Sequence, residues 1–186
     1  DRIYVWHLNL TTGKLEPAAK PYYDMMPGSA PRHFVFSPNG KLIYNLCEQD
    51  SKVIVSNFDP ATGAISNLQS VSTVTSHFRG STLAAEIIIS ANGKFLYASN
   101  RLGDSLAVFT IAEDGTLKLQ DEVWMHADYG RAMMLDPSGS FIFCANQRSD
   151  TVTSFKVDPH TGQIAFTGQF TPVGSPTTFA FLDTVS

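Results

Sequence analysis

Short runs of apolar residues alternate with glycine-containing turns along most of the chain. The clearest example extends from Pro31 to Glu48, where PRHFVF and KLIYNLCE flank the turn SPNG. Runs of four to eight residues that are rich in Val, Ile, Phe and Tyr and end in Asn-Gly, Asp-Gly or Thr-Gly are typical of β-hairpins. The pattern therefore predicts an all-β chain with little room for helix.

The same hairpin returns twice, as AAEIIISANGKFLYASNR (84–101) and GRAMMLDPSGSFIFCANQ (130–147). Each copy is followed by a second pair of strands around a further glycine turn. The turn glycines of the two hairpin types are Gly40, Gly93 and Gly139, and Gly63, Gly115 and Gly162. A four-strand unit that recurs about every 50 residues is typical of the blades of a β-propeller. A β-sandwich also has short strands, but it does not repeat one four-strand unit with the same turns.

The repeats divide the chain into three complete blades and two partial ones. Residues 1–26 supply the outer strands of a blade, the complete blades cover 31–74, 84–126 and 130–172, and residues 175–183 supply a first strand. A propeller normally closes by completing one blade from both ends of the chain, because an open arc leaves strand edges unpaired. We therefore expect part of a larger propeller, whose missing blades come from the rest of a longer polypeptide or from another chain.

Composition excludes several classes of function. The formal net charge is -4, which gives no overall attraction to nucleic acid or to an anionic membrane. No apolar run approaches the roughly 18 residues that a membrane span needs. Cys47 and Cys144 lie inside predicted strands and are expected to be buried reduced thiols, which favours a reducing, cytoplasmic location. No cofactor motif, metal-binding set or Ser-His-Asp arrangement is present, so we expect neither a cofactor nor a metal.

The three hairpins, together with SNRLGDSLAVFTIAEDGTL and the terminal VGSP, resemble the lactonase family of seven-bladed propellers. That family contains the bacterial-type 6-phosphogluconolactonase and the fungal 3-carboxy-cis,cis-muconate lactonizing enzyme. The resemblance covers essentially the whole chain and implies that it corresponds to the C-terminal half of a family member. Two positions depart from the family pattern: Cys47 stands where many members have Asn, and Ile88 stands where some have His.

Superposition of the three hairpins identifies positions where the chemistry varies while the packing is kept. The start of the first strand and the end of the second strand emerge on the same face of a propeller. The equivalent sets at that face are Arg32, Ala85 and Arg131; His33, Glu86 and Ala132; and Glu48, Arg101 and Gln147. Core positions of the same hairpins stay apolar. The sequence therefore predicts an asymmetric pocket at one mouth of the central channel.

These residue types suit an anionic substrate. Guanidinium groups bind phosphate or carboxylate oxygens bidentately, and a carboxylate or histidine can act as general base. The resemblance implies catalytic roles for Arg32, Glu48 and Arg101, and His33 is a further catalytic candidate. The residues expected to contact substrate are Arg131, Glu86 and Gln147. The resemblance also implies a further histidine in an upstream blade, which has no counterpart here.

The function that the resemblance implies is hydrolysis of an anionic sugar lactone such as 6-phosphogluconolactone. Two alternatives stay open: a muconate cycloisomerase and a non-catalytic propeller that presents its face to a partner. Structural roles are open for individual residues as well. Arg32 and Glu48 can form an ion pair that ties the hairpin, and His33, Glu86, Arg131 and Gln147 can be ordinary structural or solvated groups. The insertion at 76–84 is either a lid or a simple surface loop.

Overall fold

The computed structural model describes residues 1–182 and contains fourteen β-strands in that range, without an α-helix there. The strands are β1 (Arg2–Leu8), β2 (Leu15–Asp24), β3 (Pro31–Phe36), β4 (Leu42–Cys47), β5 (Lys52–Phe58), β6 (Ile65–Ser72), β7 (Leu83–Ile89), β8 (Phe95–Arg101), β9 (Ser105–Ile111), β10 (Leu117–Trp124), β11 (Gly130–Leu135), β12 (Phe141–Asn146), β13 (Thr151–Val157) and β14 (Ile164–Pro172).

The strands form three antiparallel four-stranded sheets and one two-stranded sheet. Each four-stranded sheet follows chain order, as β3-β4-β5-β6, β7-β8-β9-β10 and β11-β12-β13-β14, and β1 pairs with β2. We call the three four-stranded sheets the first, second and third blade. The inner strand β7 of the second blade packs against β3 on one side and β11 on the other. The predicted all-β, blade-like architecture is confirmed.

The core consists of two apolar layers, one on each face of the second blade. Leu96 of β8 packs into the layer shared with the first blade, together with Leu46 and Val55. The next residue, Tyr97, packs into the layer shared with the third blade, together with Ile142. Successive side chains of a strand point to opposite faces, so the nearly continuous apolar run of β8 fills both layers.

A tyrosine in the second strand ties each of the first two blades to the next one. The hydroxyl of Tyr44 donates to the carbonyl of Gly115 at 3.1 Å, and that of Tyr97 donates to the carbonyl of Gly162 at 3.0 Å. Both glycines are the turn residues of the following outer hairpin. Burial raises the pKa of each tyrosine to about 12. Phe143 occupies the equivalent position in the third blade and packs against Phe181.

Each inner hairpin contains a register shift at the same place, near the start of its first strand. The shift lies between Pro31 and His33 in β3, between Ala84 and Ile87 in β7, and between Gly130 and Ala132 in β11. A β-bulge inserts one residue into a strand and changes the direction in which neighbouring side chains point. The predicted channel-mouth positions on the first strands, those of Arg32, Ala85 and Arg131, therefore lie at bulges.

The predicted strand over 175–183 is not formed in the part of the chain that the structure describes. Residues 175–182 have no regular secondary structure, and residue 183 lies outside the described residues. A first strand needs the second strand of its own blade as a hydrogen-bonding partner, and residues 1–182 provide no such strand beside this segment. What completes the ring stays a prediction.

Both cysteines are buried and free, as expected. Burial raises the pKa of the Cys47 thiol to about 11 and raises that of Cys144 further, so both are neutral at physiological pH. Across residues 1–182, no helix has the length and apolar character of a membrane span. The compartment itself stays a prediction.

Candidate active site

Three of the predicted residues meet where neighbouring strands end. Glu48 directly follows β4, Arg32 lies at the bulge of β3, and Arg101 is the last residue of β8. Oε2 of Glu48 is 3.2 Å from Nη1 of Arg32, and Oε1 of Glu48 is 2.5 Å from Nη2 of Arg101. One carboxylate thus holds two guanidinium groups that come from different blades.

Arg101 is the most deeply buried member of this group, with only 3% of its side chain exposed. Its Nε and Nη2 atoms lack a hydrogen-bond partner of good geometry within residues 1–182. The short contact of Nη2 with Glu48 is therefore an ion pair with poor hydrogen-bond alignment. Buried N–H donors are nearly always satisfied in folded proteins, so two donors without a well-aligned partner are an unusual feature of this cluster.

His33 and Glu86 form a second pair, between the inner strands of the first two blades. Nδ1 of His33 lies 2.7 Å from Oε1 of Glu86, which also accepts the backbone N–H of Ile87 at 3.2 Å. Next to this pair, Nε of Arg32 donates to the carbonyl of Ala85 at 2.8 Å. The two contacts join consecutive residues of β3 to consecutive residues of β7, which places the His33 pair beside the Glu48 cluster.

Arg131 and Gln147 lie at the equivalent positions of the third blade, but their side chains do not join the cluster directly. Arg131 lies at the bulge of β11, and Gln147 follows β12 and donates its backbone N–H to the carbonyl of Tyr129 at 3.0 Å. Neither side chain forms a hydrogen bond or an ion pair with residues 1–182. Their expected roles in substrate binding stay predictions.

Tyr129 was not expected at this site. Its ring contacts two arginines: Cζ of Arg101 is 5.1 Å from the ring centroid and Cζ of Arg148 is 3.9 Å from it. Nη1 of Arg101 also donates to the Tyr129 hydroxyl, at 3.4 Å. One feature of the sequence could have indicated Tyr129: it is a large aromatic residue at the repeat position where the first hairpin has Ala30.

The insertion at 76–84 lies beside the site. Residues 76–82 form a loop, and the ring of Phe78 lies against Gly103 in the turn that follows Arg101. Arg79 donates from Nη1 to two carbonyls of the same loop, those of Ser76 and Phe78. The loop is thus held by its own backbone, and a lid function stays a prediction.

Two concavities lie away from the Glu48 cluster. One of about 550 Å³ is lined by the N-terminal hairpin and the outer turn of the first blade, including Val5, Tyr23 and Gly63. Another of about 560 Å³ lies along the last two strands, around Asp158 and Ile164. Neither brings opposite charges and unsatisfied donors together as the Glu48 cluster does, so we identify the site by its chemistry and not by volume.

Comparison with known proteins agrees with this architecture. Residues 1–181 match the family model described as Lactonase, 7-bladed beta-propeller. A 6-phosphogluconolactonase of Pectobacterium atrosepticum is 32% identical over 164 residues, which cover 88% of this chain and 49% of that protein. Among solved structures, a protein from Lactobacillus plantarum aligns with a TM-score of 0.90 and 32% identity, covering 95% of this chain and 51% of that one.

A second solved structure, the periplasmic gluconolactonase of Pseudomonas aeruginosa, aligns with a TM-score of 0.88 and 30% identity and covers 96% of this chain and 50% of that one. The chain thus spans about half the length of the relatives it matches. The family match over nearly the whole chain confirms the resemblance drawn from the repeats. The chain belongs to the lactonase family of seven-bladed β-propellers.

Proposed function

We propose that this chain carries a lactonase site that hydrolyses an anionic sugar lactone such as 6-phosphogluconolactone. The observation that carries the proposal is the pair of guanidinium groups, of Arg32 and Arg101, that Glu48 holds together from two different blades. Donors of this kind, held in place before substrate binds, stabilise an oxygen on which negative charge develops. Relatives named 6-phosphogluconolactonase support the choice of substrate.

Glu48 acts in this proposal by holding the arginines. Both of its oxygens are engaged, one with Arg32 and one with Arg101. Because both oxygens already contact guanidinium groups, the carboxylate is not placed to take a proton from an attacking water. It does, however, fix two guanidinium groups close together, so that their remaining donors can polarise a lactone carbonyl.

His33 is the better general base. Its Nδ1–H donates to the ionised carboxylate of Glu86, which fixes the tautomer and leaves Nε2 free to accept a proton. The side chain is 41% exposed, so water and substrate can reach it. An oriented imidazole beside an arginine pair provides both a base and an oxyanion site.

The reaction follows from this arrangement. Water attacks the lactone carbonyl carbon while its proton passes to Nε2 of His33, and the negative charge that forms on the carbonyl oxygen is stabilised by Arg32 and Arg101. When the tetrahedral intermediate collapses, the ring C–O bond breaks. The proton on His33 then transfers to the departing ring oxygen, which gives a hydroxy acid and restores the neutral imidazole.

Lactone hydrolysis by the complete propeller, in which the missing blades accompany this chain, tests the proposal, with the released acid followed in a pH-stat. We expect H33Q to lower kcat by about 100-fold or more, because general-base catalysis typically contributes that much. E86Q should lower kcat less, because it removes the group that orients His33 and leaves the base itself. H160Q changes an exposed turn histidine and is the matched control, with an expected change below about twofold.

If H33Q and H160Q have the same activity as the unchanged chain, the assignment of the base is wrong. If no lactone is hydrolysed above the spontaneous rate, the proposed function of this chain is wrong. Assays with 3-carboxy-cis,cis-muconate in parallel address the cycloisomerase alternative. A non-catalytic propeller predicts that neither compound is turned over.

A further inference from the structure

The same backbone turn precedes the first strand of a blade at three places in the chain. Tyr129 lies in one of these turns, but the conformation of the turn does not require a tyrosine. A residue in the left-handed conformation lies at each turn, and its N–H is bound by an aspartate carboxylate. The three pairs are Ala30 (φ 52°) with Asp1 at 2.8 Å, Tyr129 (φ 64°) with Asp104 at 2.9 Å, and Ser175 (φ 43°) with Asp150 at 2.7 Å. Ala and Ser meet the same backbone requirement. A bulky residue at positive φ is uncommon, so the side chain of Tyr129 has a role beyond the turn.

The contacts of Tyr129 indicate that role. Its half-buried ring contacts the guanidinium groups of both Arg101 and Arg148, and its hydroxyl accepts a hydrogen bond from Arg101. An arginine over the face of an aromatic ring is attracted by the negative charge of the π-system. Tyr129 therefore holds two cations near each other that would otherwise repel.

Arg148 is the outer member of this arrangement. It is exposed, and it forms no ion pair or side-chain hydrogen bond with residues 1–182. Cζ of its guanidinium lies over the Tyr129 ring, 3.9 Å from the ring centroid, and this contact restrains the side chain without using its N–H donors. A series of contacts joins Glu48 to Arg101, Arg101 to Tyr129, and Tyr129 to Arg148, and it crosses all three blades. At its outer end, Arg148 carries a positive charge without an ion-pair partner among residues 1–182.

We propose that Arg148 is the subsite for the phosphate group of the lactone substrate, at the end remote from the carbonyl, and that Tyr129 positions it. This inference rests on the proposed lactonase function and adds to it the recognition of a phosphorylated sugar. A guanidinium held on a ring offers a planar edge that matches phosphate oxygens bidentately. Because the ring already restrains the side chain, less conformational entropy is lost on binding.

Binding of the reaction product separates this subsite from catalysis. Isothermal titration calorimetry of the complete propeller with 6-phosphogluconate and with gluconate compares the same carboxylate with and without the phosphate. We expect R148Q to weaken 6-phosphogluconate binding by about tenfold or more, since it removes a charge-assisted contact. Gluconate binding should change by less than about twofold. R2Q alters an exposed arginine of the N-terminal hairpin and should leave both affinities unchanged.

Variants of Tyr129 test the positioning role. Y129F keeps the ring and should retain 6-phosphogluconate affinity within about twofold, whereas Y129L removes the ring and should reproduce the loss seen in R148Q. Arg148 is exposed, so R148Q tests the subsite even if Y129L does not fold.

The inference is overturned if the unchanged chain does not bind 6-phosphogluconate, or if R148Q weakens both ligands equally or neither. Phosphate-dependent binding that needs Arg148, in a chain without lactone hydrolysis, supports the subsite and refutes the proposed function. Lactone hydrolysis in a protein whose binding of 6-phosphogluconate does not depend on Arg148 supports the proposed function and refutes the subsite.

Discussion

Replacement of Glu48 by Gln tests how far the buried arginine depends on this carboxylate. Arg101 is 3% exposed, and Glu48 is its ion-pair partner. Removal of one member of a buried pair typically destabilises a protein by about 3–5 kcal/mol, because the remaining charge stays away from water. Glu48 is 23% exposed, so partial hydration reduces the effect. We expect E48Q to lower the free energy of unfolding by about 3 kcal/mol.

R101M should have a smaller effect. It replaces a buried charge by an apolar side chain of similar length, and Glu48 keeps Arg32 at 3.2 Å. We expect a loss of about 1 kcal/mol or less. In the R101M background, E48Q no longer leaves the buried guanidinium of residue 101 without a partner. E48Q should therefore lower the free energy of unfolding by only about 1 kcal/mol more in that background. The double-mutant cycle then gives a coupling energy of about 2 kcal/mol.

Urea unfolding measures these differences, with tryptophan fluorescence and far-UV circular dichroism as independent probes. The matched control is the cycle of R2M and D24N, because Arg2 and Asp24 also form a cross-strand pair, at 2.7 Å, but are 47% and 65% exposed. Water screens that pair, so its coupling should be much smaller. An equal effect of E48Q in both backgrounds, or equal coupling in the two cycles, would refute the dependence of Arg101 on Glu48.

Two further predictions concern contacts between blades. Burial raises the pKa of Tyr44 and that of Tyr97 to about 12. Between pH 10 and 12 these two tyrosines therefore ionise in the unfolded chain but not in the folded one. The stabilisation that each buried neutral hydroxyl gives is complete below pH 10 and is lost across this range. The free energy of unfolding lost in this way is on the order of 2 kcal/mol for each tyrosine. In Y97F the free energy of unfolding should therefore fall less steeply between pH 10 and 12 than in the unchanged chain. An unchanged slope would contradict the raised pKa of Tyr97. In G162A a new Cβ would lie 2.2 Å from Phe95, whereas at the equivalent turn Gly13, with a similar φ, it would meet nothing within 4 Å. G162A should therefore destabilise by about 2 kcal/mol more than G13A in the same urea assay, and equal losses would show that backbone strain alone accounts for both.

Much of the fold could be predicted because its signals are local. Strand alternation and turn glycines such as Gly40 and Gly93 depend on neighbouring residues only, and their return at a fixed spacing is sufficient to indicate blades. The segment after Ser175 shows the limit of such signals. Its residues favour a strand, but a strand also needs a partner, and the sequence of the segment does not supply one.

The candidate site could be predicted in part for the same reason. Superposition of repeats selected the blade positions of Arg32, Glu48 and Arg101, and the structure brings these three side chains into contact. Superposition of the repeats, however, shows which residues hold equivalent positions in different blades. It does not show which residues of neighbouring blades contact each other. It therefore did not pair His33 with Glu86, although both residues were candidates.

The sequence by itself determined the repeat, its turns and the few positions where charged residues replace apolar ones. Only the tertiary structure decided which of these charges meet, because contacts between blades depend on how adjacent sheets twist and pack. It placed Arg101 out of water beside Glu48, and it brought two arginines that are 47 residues apart in the chain into contact with the same ring, that of Tyr129. Local patterns specify strands, and the packing of one blade on the next creates the site.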